Sequence, residues 1–227
     1  RYGSSVLNRP VYYFPAGSGN DLWNDVGQNS VDGMILLNDY LKQLPVVEVK
    51  GKKSCFLNGV GYGIDGYCCE TGDRLRIQGK ENVNYTAIAI KGLLFHYKPV
   101  SAKVTVDGVS HCYRHVWLAP TMNGRYYGGG MEVAPEQDRL NPAGQVAVVV
   151  LHCPSKLKTL VVFPSIFKGE HVKHTEMVEV LSGSEITVAF DRPTALQIDG
   201  ETVTGVTEYS VATDAAKENA ARQTMAG

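Results

Sequence analysis

The chain has 227 residues, of which 44% are hydrophobic and 20% are charged, so it can form one large domain or two small ones with a sizeable core. This composition excludes an intrinsically disordered chain. The formal net charge of −1 argues against nucleic acid as the principal partner, because binding to a phosphate backbone normally needs a basic excess.

The cysteines and the apolar runs indicate the cellular compartment in which the protein is expected. The five cysteines are odd in number, two of them are adjacent, and no CxxC pair occurs. Neither a disulfide framework nor a zinc site is indicated, which favours a reducing cytoplasm. The apolar runs are too short to span a bilayer, so we expect no transmembrane segment and any contact with a membrane at its surface.

The first predicted elements are a buried strand from Val11 to Phe14, a glycine turn and a helix from Asp21 to Val26. The turn consists of Gly17, Ser18, Gly19 and Asn20. Such a turn before a helix suits a phosphate, and the Asp21 carboxylate suits a hydrated Mg²⁺. The same residues are equally typical of an ordinary turn with a helix cap, so both interpretations stay open at this point.

A second helix is predicted from Val31 to Leu44, where apolar residues recur at helical spacing until Pro45 ends the pattern. Strands are then predicted at Val46–Val49 and Ser54–Leu57, as a hairpin around Lys50-Gly51-Lys52. A third helix is predicted from Asn84 to Tyr97.

After Pro99 the pattern becomes mostly that of strands. Asp107-Gly108 predicts the turn of a hairpin between Lys103–Val106 and Cys112–Leu118. A helix from Lys156 to Lys168 should be interrupted or end near Pro164, and it would either touch lipid or pack on the sheet with its lysines in water. Five further strands and a terminal helix complete the prediction: strands at 145–151, 177–181, 185–190, 195–198 and 206–211, and a helix at Asp214–Met225.

We therefore predict an α+β fold, in which the remnant of an α/β nucleotide-binding domain is followed by an antiparallel β-sandwich-like domain. Residues 1–45 would belong to the first domain, to which 207–227 may return, and residues 46–206 would form a β-rich lipid-substrate domain. Gly61–Gly66 formally matches GxGxxG, but the acidic strand end that a dinucleotide fold needs does not follow; a backbone bend at a strand end explains the run better.

Asp199-Gly200-Glu201 follows an apolar strand. Its spacing favours a tight turn between two strands, because Asp-Gly is common in type I′ turns. The alternative is functional: one of the two carboxylates accepts a proton, while the other orients it or helps to hold a metal. The six histidines show no metal-binding pattern, and no GxSxG motif occurs.

Five stretches, taken in order, resemble the diacylglycerol kinase catalytic family, the lipid kinases that include sphingosine kinases and bacterial relatives. They are FPAGSGNDLWNDVG (14–27), FLNGVGYGIDG (56–66), YYGGGMEVAP (126–135), FKGEH (167–171) and LQIDGE (196–201). Any one of these motifs is weak, whereas five in the family's order are specific.

The resemblance implies a two-domain kinase that transfers the γ-phosphate of ATP to a lipid hydroxyl, such as that of diacylglycerol, with Mg²⁺ in the cleft between the domains. It implies that the glycine turn lies along the nucleotide and that Asp21, with Glu48, helps to hold the metal's water shell. Asp199 would be the general base, with Glu201 beside it. The protein would be cytoplasmic and peripheral at a membrane surface, with a homodimer left open.

The sequence departs from the family at three places. The Gly-Gly-Asp-Gly-Thr nucleotide loop is absent, which led us to expect a truncated and catalytically impaired chain. Glu48 stands where relatives often carry Asp, and 139–144 reads RLNPAG where relatives usually have Asp-Gly, so a structural metal loop is not expected there. Two rivals remain open: a non-catalytic lipid-binding or regulatory relative, and a dinucleotide-dependent enzyme that uses Gly61–Gly66.

Overall fold

The computed structural model describes residues 9–17, 19–80 and 83–216. Its strands are β1 (Tyr12–Tyr13), β2 (Ile35–Leu36), β3 (Val46–Val49), β4 (Lys52–Cys55), β5 (Gly59–Tyr62), β6 (Val100–Val106), β7 (Val109–Leu118), β8 (Thr121–Met122), β9 (Tyr126–Tyr127), β10 (Met131–Glu132), β11 (Val146–His152), β12 (Val178–Gly183), β13 (Glu185–Ile198) and β14 (Glu201–Ala212). Its α-helices are α1 (Asp21–Val26), α2 (Ile64–Ile77), α3 (Tyr85–Lys91) and α4 (Lys156–Val162). A π-helical turn, Gly92–His96, continues α3, and a 3₁₀ segment, Phe163–Lys168, continues α4.

One antiparallel sheet of ten strands dominates the fold, in the order β4-β3-β14-β13-β5-β8-β11-β7-β6 with β12 beside β11. The long strand β13 pairs with β6 through its first half and with β5 through its second half. Because these two partners stand at opposite ends of the path that runs through β8, β11 and β7, the sheet folds back on itself. The result is sandwich-like, with apolar side chains between its two halves.

Strand β11 shows why this sheet has two cores. Val146, Val148 and Val150 point into the core between the halves of the sheet. Ala147, Val149 and Leu151 point to the other face, where a second core forms under the helices. Since successive side chains of a strand alternate between faces, a strand covered on both sides must be apolar, and β11 is apolar from Val146 to Leu151.

Aromatic contacts fix the inner core. The ring of Tyr62 stacks on Phe190 with 3.8 Å between ring centroids and meets the edge of Tyr209 at 5.5 Å. Its hydroxyl donates a hydrogen bond of 2.5 Å to the carbonyl oxygen of Val206, so the buried polar group is satisfied. These contacts hold β5, β13 and β14 together at the strands that carry the site described below.

The predicted helix from Val31 to Leu44 is wrong. This stretch instead contains β2, which pairs with β1, followed by turns. Asp32 and Gly33 have φ angles of 52° and 74°, which are left-handed conformations that a continuous helix does not accept. The apolar residues Ile35 and Leu37 still become buried, but they pack on α1 from β2 and the residue that follows it.

Helix α2 is an element that the sequence did not indicate. Its glycines and polar residues obscure the apolar period, yet two of those glycines permit close packing. A Cβ atom on Gly66 would lie 1.9 Å from the carbonyl oxygen of Ala195, and one on Gly72 would lie 2.7 Å from the Tyr85 ring. The small residues that disguise the helix therefore let it pack directly on β13 and α3.

The remaining predictions agree with the structure in most elements. Both hairpins form, α3 lies within its predicted range, and α4 gives way to the 3₁₀ segment that contains Pro164. The strands predicted at 185–190 and 195–198 are one continuous strand. Of the terminal helix, only the first residues, 214–216, are described, and the rest lies outside the described residues.

The predicted fold class is confirmed as a mixture of helix and sheet with a sandwich-like C-terminal domain. The α/β remnant and the domain boundaries stay predictions. Residues 207–212 lie in β14, which pairs with β3 and β13 in the large sheet. Among the described helices, none combines the length and the apolar character that crossing a membrane requires.

Candidate active site

A cavity of about 280 Å³ lies where the start of α1, the β13–β14 turn and helices α2 and α3 meet. Three carboxylates line it: Asp21, Asp65 and Asp199. Its lining also includes apolar side chains, among them Leu118, Met131, Phe163 and Phe167. The cavity therefore offers both polar groups that can bind a hydroxyl or phosphate group and apolar side chains that can contact hydrocarbon.

Asp199 sits in the tight turn between β13 and β14. The φ angles of Asp199 and Gly200 are 47° and 94°, so the turn interpretation of Asp-Gly is confirmed. The carboxylate also reaches the start of β5: Oδ1 accepts the backbone N–H groups of Asn58 at 2.8 Å and Gly59 at 3.1 Å, and Oδ2 accepts that of Leu57 at 2.5 Å. Asp199 thus both forms the turn and lines the cavity.

Two opposing effects act on the pKa of Asp199. Burial raises it above the usual range, and the three backbone N–H donors and the charge of Arg139 oppose that rise. Each carboxylate oxygen has two acceptor sites, so Oδ2 retains one for a ligand. This group can accept a hydrogen bond from a hydroxyl in the cavity, but its position is already fixed by the backbone.

Asp21 is the first residue of α1 and is bound by a glycine loop. Its Oδ2 accepts the N–H of Gly129 at 3.1 Å, and its Oδ1 accepts that of Gly130 at 2.7 Å. Gly128, Gly129 and Gly130 all have positive φ, a conformation that suits glycine, and the N–H groups of the last two point to the same carboxylate. Burial raises the pKa of Asp21, and these two donors oppose the rise.

The glycine turn before α1 is held by Asn20. This residue has a φ of 46°, and its Oδ1 accepts the N–H of Gly17 and the hydroxyl of Tyr13, each at 3.1 Å. Gly19 lines the cavity, and a Cβ atom there would lie 3.1 Å from the Cα of Gly129. This close approach explains the glycine at position 19, whereas a Cβ atom on Gly17 would meet only Asn20 Oδ1 at 3.5 Å. Ser18 lies outside the described residues.

Glu48 and Glu201 lie apart from the three aspartates. Glu48 is on β3 opposite Lys53, to which it forms a salt bridge of 3.2 Å. Glu201 is an exposed residue that begins β14 and pairs with Ile198. Neither residue lines the cavity. The structure therefore does not bring Glu48 together with Asp21, and the part of the chain it describes has no cluster of three His, Cys, Asp or Glu side chains suited to a metal.

Asp65 is a candidate residue to which the sequence analysis gave no role. It lies in the first turn of α2 and is only 6% exposed. Neither carboxylate oxygen makes a hydrogen bond of normal geometry within the described chain, although Tyr127 and Gln197 lie beside it. Burial raises its pKa to about 6, and the nearby hydroxyl, amide and backbone donors offset part of that rise.

The space for the Asp65 carboxylate exists because residue 61 is glycine. A Cβ atom on Gly61 would lie 1.7 Å from Oδ2 of Asp65 and 2.5 Å from Nε2 of Gln197. Gln197 in turn accepts the N–H of Gly200 at 2.6 Å, so Asp65 lies one side chain away from the Asp199 turn. The sequence signal was an acidic residue directly after the glycines at the end of β5.

A buried ion pair joins α1 to the segment that holds Asp199. Asp25 accepts hydrogen bonds of 2.7 Å from the guanidinium groups of both Arg125 and Arg139. Arg139 also donates to the carbonyl oxygen of Leu57 at 3.0 Å and to the side chain of Asn58 at 3.2 Å. The same backbone segment donates to Asp199, so this network fixes the distance between α1 and the β13–β14 turn.

The 139–144 stretch, singled out for its departure from the expected Asp-Gly, forms a loop closed by its own side chains. The Oδ1 of Asn141 accepts the N–H of Gln145 at 3.0 Å, and its Nδ2 donates to the carbonyl oxygen of Asp138 at 2.7 Å. Arg139 points away from this loop, toward Asp25. The loop thus supplies the guanidinium group of Arg139 to the ion pair that supports the site.

Together the fold and the site define a β-sandwich-like domain with a carboxylate-lined, half-apolar cavity. The chain belongs to the family described as the YegS C-terminal NAD kinase beta sandwich-like domain, whose profile matches residues 58–215. It is 26% identical over 175 residues to the diacylglycerol kinase of Mycobacterium tuberculosis, in strains CDC 1551 / Oshkosh and H37Rv alike. That match covers 74% of this chain and 55% of the relative.

Solved structures show the same fold. A putative diacylglycerol kinase from Bacillus anthracis str. Sterne aligns with a TM-score of 0.54 at 16% identity, over 76% of this chain and 55% of that one. A second structure of a diacylglycerol kinase from that organism aligns with a TM-score of 0.53 at 18% identity, over 88% and 62%. The predicted resemblance to the diacylglycerol kinase family is confirmed, and the chain spans little more than half the length of the relatives it matches.

Proposed function

We propose that this chain forms the acceptor-binding part of a lipid kinase, which transfers the γ-phosphate of ATP to a lipid hydroxyl such as that of diacylglycerol. The observation that carries the proposal is that Asp21, Asp65 and Asp199 line one cavity together with several apolar side chains. A lipid presents this combination of a hydroxyl and a hydrocarbon chain. The names of the relatives supply the reaction class.

The cavity volume limits what enters. About 280 Å³ is at the small end of ligand pockets. It suits a glycerol head group and the first part of one chain, while the remaining hydrocarbon stays outside. In this arrangement the lipid hydroxyl lies beside the carboxylates, and Leu118, Phe163 and Phe167 contact its hydrocarbon chain.

Asp199 and Asp65 have different proposed tasks. Asp199 would accept the proton of the attacking hydroxyl, since its Oδ2 retains an acceptor site. Asp65 would accept a hydrogen bond from the head group and orient it, because among the described residues neither of its oxygens has a hydrogen-bond partner of normal geometry. Holding the reactants in line is the main contribution that a protein makes to phosphoryl transfer.

The nucleotide and its metal would bind at the start of α1. The turn of Gly17, Ser18, Gly19 and Asn20 would lie along ATP. A magnesium ion fits Asp21 through its water shell, because both oxygens of this carboxylate already accept a backbone N–H and no direct ligand cage stands beside it among the described residues. When bound, Mg²⁺ would neutralise charge on the transferred phosphoryl group. Glu48, which pairs with Lys53, has no place in this arrangement.

One observation favours a second candidate, a lipid-binding or regulatory relative without turnover. The Asp199 carboxylate already accepts three backbone hydrogen bonds, and this structural task alone explains its position. In that case the cavity would bind lipid, and no phosphate would be transferred.

The test is transfer of labelled phosphate from ATP to a panel of lipids by the full-length protein, with Mg²⁺ and lipid vesicles present. Label on a glycerolipid or on another hydroxyl-bearing lipid supports the kinase and identifies its substrate. Saturable lipid binding without label on any lipid would overturn the kinase proposal and support the second candidate.

A further inference from the structure

Two neighbouring helical segments expose apolar side chains on the surface beside the cavity. Phe95, Leu157 and Val161 are 73%, 77% and 78% exposed, and Ile90 and Leu94 are exposed as well. We call these five side chains the docking face. Large apolar groups are normal on a protein surface when scattered singly, but a contiguous group marks an interaction site.

The two segments are in direct contact. The Nζ of Lys156, at the start of α4, donates a hydrogen bond of 3.1 Å to the backbone carbonyl of Leu94 in the π-helical turn. Leu157 and Val161 are four residues apart on α4 and so lie on one side of that helix. The exposed side chains of the two segments therefore belong to one region of the surface.

The charge of this region is one-sided. Residues 84–98 and 155–168 together contain five lysines and no aspartate or glutamate, although the whole chain has 22 Lys and Arg against 23 Asp and Glu. Lys158 is paired with Glu176 at 2.7 Å. Lys91 and Lys156 are exposed at the edge of the apolar group. An apolar centre with a basic rim complements an anionic lipid surface.

The segments that carry the docking face also line the cavity. Tyr85 and Ala89 of α3, together with Phe163 and Phe167 after α4, line the cavity from the inside. The same two segments present Phe95 and Leu157 to the outside. A lipid that enters the cavity from a bilayer beside these segments would meet apolar side chains both on the docking face and in the cavity lining.

We infer that the docking face binds the surface of an anionic membrane, with Ile90, Leu94, Phe95, Leu157 and Val161 entering the head-group boundary and Lys91 and Lys156 contacting lipid phosphates. The inference rests on the proposed function for its purpose, because docking here places the cavity mouth against the bilayer that holds the acceptor. Its binding step requires neither ATP nor turnover.

The experiment measures flotation of the full chain with vesicles made of equal parts phosphatidylglycerol and phosphatidylcholine, without nucleotide. The test variant combines Phe95→Ser and Leu157→Ser. We expect it to bind about tenfold more weakly than the unchanged chain, since two side chains no longer enter the boundary. Both positions are exposed, so its thermal midpoint should stay unchanged.

The matched control is Val109→Ser. Val109 is also an exposed apolar residue, but it follows the turn at the far end of β6 from the π-helical segment. Seven strand residues separate the two places, or roughly 23 Å. This control should bind vesicles as the unchanged chain does. An equal loss in control and test variant would overturn the inference.

A second variant tests the contribution of positive charge to membrane binding. Lys91→Gln should weaken binding to the phosphatidylglycerol vesicles about fivefold and leave binding to pure phosphatidylcholine vesicles unchanged. Binding that is insensitive both to this change and to salt would contradict an anionic surface as the partner. Dimerisation that depends on Phe95 and Leu157, with no vesicle binding, would assign the face to a second copy of the chain.

The failure of this inference can be told apart from failure of the kinase proposal. Vesicle binding without phosphate transfer to any lipid would uphold the docking face and overturn the kinase. Transfer that the Phe95→Ser, Leu157→Ser variant retains on vesicles would overturn the docking role. We expect that variant to lose transfer on vesicles and to keep it with a short-chain diacylglycerol dissolved as monomers.

Discussion

Asp199 and Asp65 lie in the same cavity but differ in how their carboxylates are satisfied. Asp199 accepts three backbone N–H groups and therefore supports the start of β5 as well as any chemistry. Asp65 is buried, and within the described part of the chain neither of its oxygens makes a hydrogen bond of normal geometry. An unsatisfied buried carboxylate costs stability, and such a cost is expected at a position kept for a ligand.

Replacing Asp199 by Asn should lower phosphate transfer by about 10²- to 10⁴-fold, because an amide does not accept the hydroxyl proton. Asn tolerates the left-handed backbone of this turn, but its NH₂ group cannot accept the Leu57 N–H. We therefore expect a loss of about 1–3 kcal/mol in the free energy of unfolding, measured by urea denaturation. Near-normal transfer by the folded variant would contradict the role of Asp199.

Replacing Asp65 by Asn should have the opposite effect on stability. The native pKa of about 6 exceeds the ordinary value of 3.8, so the folded state holds the proton more tightly and stability falls as the pH rises from about 4 to 6. Above pH 6 the unchanged chain carries the full cost of the buried charge, about 3 kcal/mol by this shift.

The Asp65→Asn variant should accordingly lack this pH dependence and be more stable than the unchanged chain at pH 7, but not at pH 4. Urea denaturation at both pH values measures the difference. Its transfer activity should fall through a higher KM for the lipid. A variant that is destabilised at pH 7 and keeps its KM would show that Asp65 is merely structural.

These two residues also show which site residues could be predicted from the sequence and which could not. Asp199 could be singled out because Asp-Gly-Glu follows a clear apolar strand and matches a family motif. Asp65 was passed over because it begins a helix that the sequence did not reveal, and its burial depends on Gly61 and Gln197 from other elements. Glu48 was chosen from its place in the sequence, and only the strand pairing shows that it faces Lys53.

At the scale of elements, α1 is held in place by charge as well as by its small apolar cluster. Asp25 is 4% exposed, and the side chain of Arg139 beside it is 3% exposed. Removing one member of a buried pair leaves the other charge uncompensated, which is far more costly than loss of an exposed pair.

We therefore expect Asp25→Ala to lower the free energy of unfolding by about 3–5 kcal/mol. The control is Lys42→Ala, which breaks the exposed pair between Lys42 and Asp39 and should cost less than about 1 kcal/mol. Denaturant titration of both variants measures this contrast. Equal losses would contradict the assignment of Asp25 and Arg139 as the link between α1 and the Asp199 segment.

The elements that were predicted incorrectly share one physical cause. Residues 31–44 have a helical apolar period, but the left-handed Asp32 and Gly33 and the pairing of β2 with β1 prevail over it. Helix α2 lacks that period because Gly66 and Gly72 are kept small for contacts with β13 and α3. In both cases contacts with other elements determine the secondary structure, and a local sequence pattern does not contain that information.

At the scale of the whole molecule, the folded-back sheet brings the residues of the site together. The β5 and β13 strands pair directly, so Gly61 lies opposite Gln197, and α2 follows immediately after β5. The sequence predicted the strands and their antiparallel hairpins from alternation and turns. The closure through β13 joins residues nearly 90 apart, and no local signal indicates such a pairing.

The most direct test of the central claim compares two acceptors that differ in one group. The full-length protein is given labelled ATP, Mg²⁺ and vesicles that contain either diacylglycerol or the same lipid with its free hydroxyl methylated. Transfer to a lipid hydroxyl predicts label on diacylglycerol and none on the methyl ether. No label on either lipid while other lipids in a panel also stay unlabelled, or equal label on both, would contradict transfer to a lipid hydroxyl in this cavity.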